Sequence, residues 1–167
     1  MLFTGEYEHA LDSKHRLAIP AEIRSEMERA EHAPTFYLVP GANGCPWLWP
    51  ESTFARMAKA MSQDSLLPPE ELMDFEEFMF SQSTRLEIDK TGRIRLPERV
   101  IQQHGLSERV MILGVNDHLE LRHPDAWREK LERNYQRQSE IMLRARRALD
   151  ESGRGSTTGP RDGGDRE

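Results

Sequence analysis

Two short stretches of this sequence place an acid and a base at the same spacing. Asp12 precedes Arg16 by four positions, and Asp89 precedes Arg93 by four positions. Such a spacing fits a hairpin loop made of a type I turn and one residue in the left-handed region, which brings the two side chains together. The carboxylate can then hold the guanidinium by a charge-assisted hydrogen bond, leaving other N–H donors for a phosphate or a guanine edge.

The two pairs belong to a longer internal repeat. Residues 9–23 align without a gap with residues 86–100, and the match continues from 36–39 to 110–113 and from 47–49 to 119–121. A repeat of this kind indicates two copies of one small module. In each copy, alternation predicts a half-buried strand after the turn, then a short helix opened by Pro20 or Pro97 and a hairpin.

Alternation along these strands predicts which side chains reach solvent. If Leu17, Ile19, Ile94 and Leu96 face the core, the arginines between and beside them point to the opposite side. Lys14 and Lys90 lie on the turns next to these arginines. A basic cluster on rigid hairpins suits phosphates and guanine edges. The candidate DNA-binding residues are therefore Asp12, Lys14, Arg16, Asp89, Lys90, Arg93 and Arg95.

The residue before each arginine should adopt a positive φ. Gly92 does so at no steric cost, and His15, which takes its place in the first copy, belongs to a type that tolerates this region at a cost of about 1–2 kcal/mol. Spacing alone also allows a purely structural role, in which each aspartate only closes its own turn. Both interpretations of the motif remain open from the residues.

Periodicity divides the rest of the chain into helices and a tail. Helical spacing is expected over 49–62 and again after Pro69, where Glu70 and Glu71 favour a helix N-terminus. One long helix is expected from Pro124 to Leu149. The predicted organisation is module 1 at 6–53, two inter-repeat helices at 54–82, module 2 at 83–126, a C-terminal helix at 127–149 and a disordered tail at 150–167.

Composition restricts the class of protein. The chain has 167 residues, a formal net charge of -6 and one cysteine, Cys45, which favours a reducing compartment and a structural role for the thiol. Six carboxylates between residues 64 and 77 match the whole excess of negative charge, so the remainder can still present a basic surface. No apolar run long enough for a membrane helix and no signal peptide is evident, so we expect a cytoplasmic protein.

Enzymatic and metal-binding functions find little support in the residues. Asp12 and Asp89 are related by the repeat, as are the two aspartates of an aspartic protease, but the Arg four residues after each lowers a carboxyl pKa and opposes a shared proton. The six histidines show no ligand spacing with Cys45, and the glycines form no phosphate loop. We therefore expect no catalysis, no cofactor and no metal.

Residues 1–149 resemble the MraZ family of bacterial transcriptional regulators. The resemblance rests on Phe-x-Gly at 3–5, Leu-Asp-Ser-Lys-x-Arg-Leu-x-Ile-Pro at 11–20 and Asp-x-x-Gly-Arg-Ile-x-Leu-Pro at 89–97. It implies an α+β, β-rich fold in which two SpoVT-AbrB-type swapped-hairpin modules form a barrel around a pseudo-twofold axis. The family commonly has glycine where His15 stands. Carried over by position, the arginines of both motifs are the expected DNA contacts.

The resemblance also implies a biological role and an assembly. Family members form ring-shaped homo-oligomers, expected here to be octamers or larger, and bind short G-containing direct repeats in double-stranded promoter DNA. These repeats lie upstream of the division and cell-wall gene cluster that includes their own gene, where members usually act as repressors associated with the nucleoid. The alternative is an AbrB-like antitoxin or assembly module that binds a protein partner.

Overall fold

The computed structural model describes residues 1–61 and 70–155, with side chains to residue 151. Two compact units divide the chain, Met1–Trp127 and Arg128–Glu167. In the first module the elements are β1 (Glu6–Ala10), β2 (Arg16–Ala18), α1 (Ala21–Arg29), β3 (Thr35–Pro40) and β4 (Pro46–Pro50). They are followed by α2 (Glu51–Met61), α3 (Glu70–Gln82), β5 (Thr84–Glu87), β6 (Arg93–Arg95), α4 (Glu98–Gln103), β7 (Arg109–Val115), β8 (His118–Arg122), α5 (Pro124–Gln136) and α6 (Gln138–Gly155).

The strands form two sheets, and in each sheet strands of one module pair with strands of the other. One sheet has the order β1-β7-β8-β4-β3-β5, and β2 pairs with β6 in a separate two-stranded ribbon. Strand β1 pairs with β7, with His9 opposite Val110, while β5 pairs with β3, with Leu86 opposite Phe36. Since these two residue pairs are equivalent in the repeat, the fold is α+β and duplicated. The predicted swapped hairpins and pseudo-twofold relation are confirmed.

The core lies between the ribbon and the six-stranded sheet. Leu17 and Ile94 face each other across the ribbon and are 0% and 1% exposed. Ile19 and Leu96, two residues further along, are also buried, as alternation predicts. They belong to one cluster with side chains from every layer, among them Phe3, Ile23, Met27, Phe36, Leu38, Leu48, Val100, Val110, Ile112, Leu119 and Leu121. The packed core therefore fixes the ribbon's orientation.

Helices α2 and α3 lie between the two modules along the chain. Phe54 of α2 and Met79 of α3 pack with Val39 in a second apolar cluster, as the predicted helical pair requires. Phe75 of α3, which helical spacing places on the same face as Met79, is 42% exposed. Pro69, after which the second of these helices is predicted, falls in residues 62–69, outside the described part of the chain.

The C-terminal region differs from the expected single helix. Helix α5 ends at Gln136 and α6 begins at Gln138, because the N–H of Arg137 bonds to the oxygen of Asn134, a tighter turn than the α-helical one. Helix α6 then continues to Gly155, past the predicted end at Leu149, since each added residue gains one more backbone hydrogen bond. Residues 156–167 of the predicted tail are outside the described residues.

Candidate nucleic-acid interface

The first Asp-x-x-x-Arg segment forms a turn closed by one carboxylate. Oδ1 of Asp12 accepts the backbone N–H groups of Lys14 and Arg16, both at 2.9 Å. Oδ2 of Asp12 accepts the Nε–H of Arg16 at 2.8 Å. The N–H of His15 also donates to the backbone oxygen of Asp12 at 2.8 Å. The expected pairing of Asp12 with Arg16 is therefore present.

The second segment forms the same turn with different side-chain partners. Oδ1 of Asp89 accepts the backbone N–H groups of Thr91 at 2.8 Å and Arg93 at 3.1 Å, and the Thr91 hydroxyl at 2.7 Å. The N–H of Gly92 donates to the backbone oxygen of Asp89 at 2.9 Å. Asp89 thus closes its turn as Asp12 does.

The guanidinium of Arg93 binds across the module boundary. The sequence predicts Asp89 as its partner, and the structure corrects this, because Nη1 of Arg93 lies 3.5 Å from Oδ2 of Asp12. Ala18 faces Arg93 across the ribbon and has too short a side chain to fill the space between them. Asp12 therefore contacts both Arg16 and Arg93, and ties the two modules together at the ribbon surface.

Both turns use a left-handed residue at the position before the arginine. His15 has φ 60° and Gly92 has φ 76°. The expectation that His15 adopts a conformation uncommon for residues with a Cβ is confirmed. The turns also link the modules, because His15 and Gly92 accept backbone bonds at 2.9 Å from Leu96 and Ile19 respectively.

The outer face of the ribbon concentrates positive charge. Arg16 lies directly opposite Arg95, and Arg93 lies two residues from Arg95 on the same face, because side chains alternate along a strand. The side chains of Arg16 and Arg93 are 39% and 41% exposed, and Arg95, Lys14 and Lys90 are exposed. Like charges directly opposite each other destabilise a strand pair. This face is therefore better suited to an anionic partner than to water alone.

Hydrogen bonds keep both aspartates ionised. The backbone N–H of Arg16 is the largest influence on Asp12, and with the Arg16 side chain it outweighs burial and lowers the pKa of Asp12 to about 2. The Thr91 hydroxyl is the main cause that lowers the pKa of Asp89 below its usual range. Each carboxylate therefore remains an acceptor at neutral pH and continues to hold its turn.

A further cation, which the sequence analysis does not single out, lies against the second turn. A Cβ added to Gly92 would lie 2.9 Å from Cζ of Arg24 in α1. The Nε–H of Arg24 donates to the backbone oxygen of Ile19 at 3.2 Å. The sequence signal that points to Arg24 is a difference between the two copies of the repeat, because the equivalent position in the second module is Ile101.

A separate polar cluster is buried at strands β4 and β8. Glu120, 6% exposed, accepts bonds from Asn43 at 2.7 Å and from Nη2 of Arg122 at 2.7 Å. Burial acts to raise the pKa of Glu120, but the nearby His118 imidazole, 3.9 Å away, and the hydrogen bonds from Arg122 and Asn43 outweigh it and lower the pKa to about 2. Burial is the largest cause that raises the pKa of the Cys45 thiol to about 11, which favours the structural role expected for it.

The described ranges, 1–61 and 70–155, contain no group of three or more His, Cys, Asp or Glu side chains that could hold a metal ion. No helix among them combines the length and apolar character that crossing a membrane requires.

Comparison with known proteins adds independent information. Residues 2–75 and 79–151 match the family described as "MraZ protein, putative antitoxin-like", and each span contains one Asp-x-x-x-Arg segment. The chain is 31% identical over 133 residues to "Transcriptional regulator MraZ" of Pediococcus pentosaceus, covering 78% of this chain and 87% of that protein. The protein of the same name from Thermomicrobium roseum is 32% identical over 131 residues, covering 78% and 88%. That from Heliobacterium modesticaldum is 29% identical over 147 residues, covering 85% and 97%.

Proposed function

The chain belongs to the MraZ family of transcriptional regulators, and from that membership we propose that it binds double-stranded promoter DNA through the outer face of the β2–β6 ribbon. The observation that carries this proposal is the arginine cluster. Arg16 is opposed to Arg95, with Arg93 on the same face, so the free protein holds three guanidinium groups together. DNA phosphates would remove the repulsion between these groups and release counterions.

The shape of the ribbon supports recognition as well as attraction. The major groove of B-DNA is about 12 Å wide and admits a two-stranded β-ribbon. Arginine contacts O6 and N7 of guanine in a bidentate geometry, which is the commonest specific contact of this kind. Asp12 holds Arg16 and Arg93 at defined positions, so less side-chain entropy is lost on binding. In this mechanism, Lys14 and Lys90 bind phosphates, and Arg16, Arg93 and Arg95 reach the base edges.

The biological role follows from the family resemblance. The chain acts in the cytoplasm at the nucleoid, as a repressor of the division and cell-wall gene cluster that includes its own gene. It binds short direct repeats as a homo-oligomeric ring. Linking several ribbons in one ring raises the effective concentration for each further contact, so spaced repeats are bound far more tightly than a single site. The function requires no catalytic residue and no cofactor.

A protein partner is the second candidate. The description of the matched family includes an antitoxin-like character, and AbrB-type modules also occur in antitoxins. Within the chain, apolar side chains of α5 and α6 are exposed, with Tyr135 and Met142 both at 64% and Leu149 at 73%. Exposed apolar surface of this kind is typical of an interaction site.

Fluorescence anisotropy on a duplex from upstream of the gene tests the DNA-binding proposal. Wild type, Arg16→Ala/Arg93→Ala and the control Arg29→Ala, which removes an exposed arginine of α1, are compared on this duplex and on a scrambled one across salt concentrations. Each substituted ribbon arginine should cost about 1–3 kcal/mol of specific binding and reduce discrimination between the duplexes. The control should bind as wild type does. A folded double variant with unchanged preference would refute the proposal and leave the motif with a structural role only.

A further inference from the structure

The internal duplication allows the two ends of the ribbon to be compared residue by residue. At the first end, Lys14 lies on the turn, Arg16 follows it, and Arg95 stands opposite Arg16. At the second end, Lys90 lies on the turn and Arg93 follows it, but the residue opposite Arg93 is Ala18. The turns and strands together therefore supply three cations to the first end and two to the second.

Arg24, which belongs to α1 and not to a strand, lies at the second end. Its Cζ, Nε and Nη1 atoms lie 2.9, 3.0 and 3.2 Å from the position that a Cβ on Gly92 would take. A side chain at position 92 would therefore require the guanidinium to shift from this place. At the first turn the residues equivalent to Gly92 and Arg24 are His15 and Ile101, which line one cleft, so no arginine takes the corresponding place.

One backbone hydrogen bond holds the side chain of Arg24 beside the second turn. Its Nε–H donates to the oxygen of Ile19, and the N–H of Ile19 donates to the oxygen of Gly92 at 2.9 Å. A guanidinium has five N–H donors, so this bond leaves the terminal nitrogens available. Lys90, Asp89 and Glu28 line the same cleft of about 350 Å³. Asp89 is occupied by Thr91 and by backbone N–H groups of its own turn.

We propose that Arg24 is a DNA-contacting residue that supplies, at the second turn, the third cation that Ala18 does not provide. The inference rests on the proposed function of the ribbon. It assigns Arg24 to a phosphate, because the guanidinium lies beside the turn and not on the ribbon face that reaches the base edges. If Arg24 only donated to Ile19, its role would be purely structural. The test must therefore separate the effect of the charge of Arg24 from the effect of its hydrogen bond.

The experiment measures the affinity of the full-length protein for the upstream duplex between about 50 and 200 mM salt. The variants are Arg24→Gln, Arg24→Lys and the control Arg29→Gln, which makes the same charge change at an exposed position of the same helix. One lost phosphate contact lowers the slope of log K against log salt by about 0.9. Arg24→Gln should show that loss on both upstream and scrambled duplexes. Arg24→Lys and the control should keep the wild-type slope.

The outcomes separate this proposal from the function on which it rests. If wild type binds DNA and Arg24→Gln keeps the wild-type slope, Arg24 is only a structural clasp and the proposal is overturned. The same conclusion holds if Arg24→Lys loses the slope as Arg24→Gln does, because a retained charge should retain the contact. If wild type itself binds neither duplex, the proposed function fails first, and the role of Arg24 fails with it.

Discussion

Exchanging the residue types at the two left-handed positions tests the turn geometry most directly. His15 and Gly92 occupy equivalent places in the repeat, with φ 60° and 76°. A residue with a Cβ costs about 1–2 kcal/mol in this region, whereas glycine loses more conformational entropy on folding, by roughly 0.5–1 kcal/mol. His15→Gly should therefore increase the free energy of unfolding by about 0.5–1 kcal/mol.

The reverse substitution meets an additional obstacle. In Gly92→His the new side chain acquires the unfavourable φ, and its Cβ would lie 2.9 Å from Cζ of Arg24. The guanidinium of Arg24, whose Nε–H donates to the oxygen of Ile19, must then shift. We expect Gly92→His to decrease the free energy of unfolding by about 1–3 kcal/mol. The two exchanges should thus have opposite signs although they involve the same pair of residue types.

Thermal and urea unfolding of the two variants and wild type provide the measurement. For a chain of this size, 1 kcal/mol corresponds to about 2–4 °C in Tm. His15→Gly should raise Tm by about 1–4 °C, and Gly92→His should lower it by about 2 °C or more. A clear decrease in Tm for His15→Gly, or an unchanged Tm for Gly92→His, would refute the assignment of both positions to strained left-handed turns.

Two further perturbations test the core and the buried polar cluster. Leu17→Ala should lower the free energy of unfolding in urea by about 2–5 kcal/mol, because Leu17 is fully buried against Ile94, whereas Leu17→Ile should cost less than about 1.5 kcal/mol. Equal effects of the two would show that the ribbon is not packed as described. Glu120 has a folded pKa of about 2, below its usual 4.5, so its contribution to stability is present above pH 4.5 and is lost as pH falls toward 2. Glu120→Gln should therefore be less stable than wild type at pH 7, with a difference in urea midpoint that narrows below pH 4.5; a constant difference from pH 7 to 3 would contradict this linkage.

Much of the site follows from local pattern. Alternation around Leu17 and Ile94 places the arginines on the outer face, and burial of both leucine and isoleucine agrees with it. The spacing of Asp12 and Arg16 predicts their hydrogen bond, and the residue type at position 15 predicts a positive φ. These properties depend on neighbours within a few residues, so the sequence contains them directly.

The C-terminal helices show where periodicity is insufficient. An apolar stripe at helical spacing predicts one face but does not reveal whether that face is covered. Tyr135, Met142 and Leu149 are exposed in the chain. The break at Arg137 arises because its N–H bonds to the oxygen of Asn134, three residues earlier, and not to the oxygen four residues earlier. Neither helix propensity nor apolar spacing distinguishes these two acceptors. Element type is thus predictable here, while its continuity and burial are not.

The sequence by itself determined the duplication, the two turns, the strands that carry the arginines and the family. Only the tertiary structure decided that β2 pairs with β6, that Arg93 reaches Asp12 and not Asp89, and that Arg24 lies on Gly92. Asp12 and Arg93 are 81 positions apart, and Arg24 and Gly92 are also distant in the chain. Local preferences act over a few residues, whereas these contacts arise when the shared core brings the two modules together and Ala18 and Gly92 leave the space that arginine side chains fill.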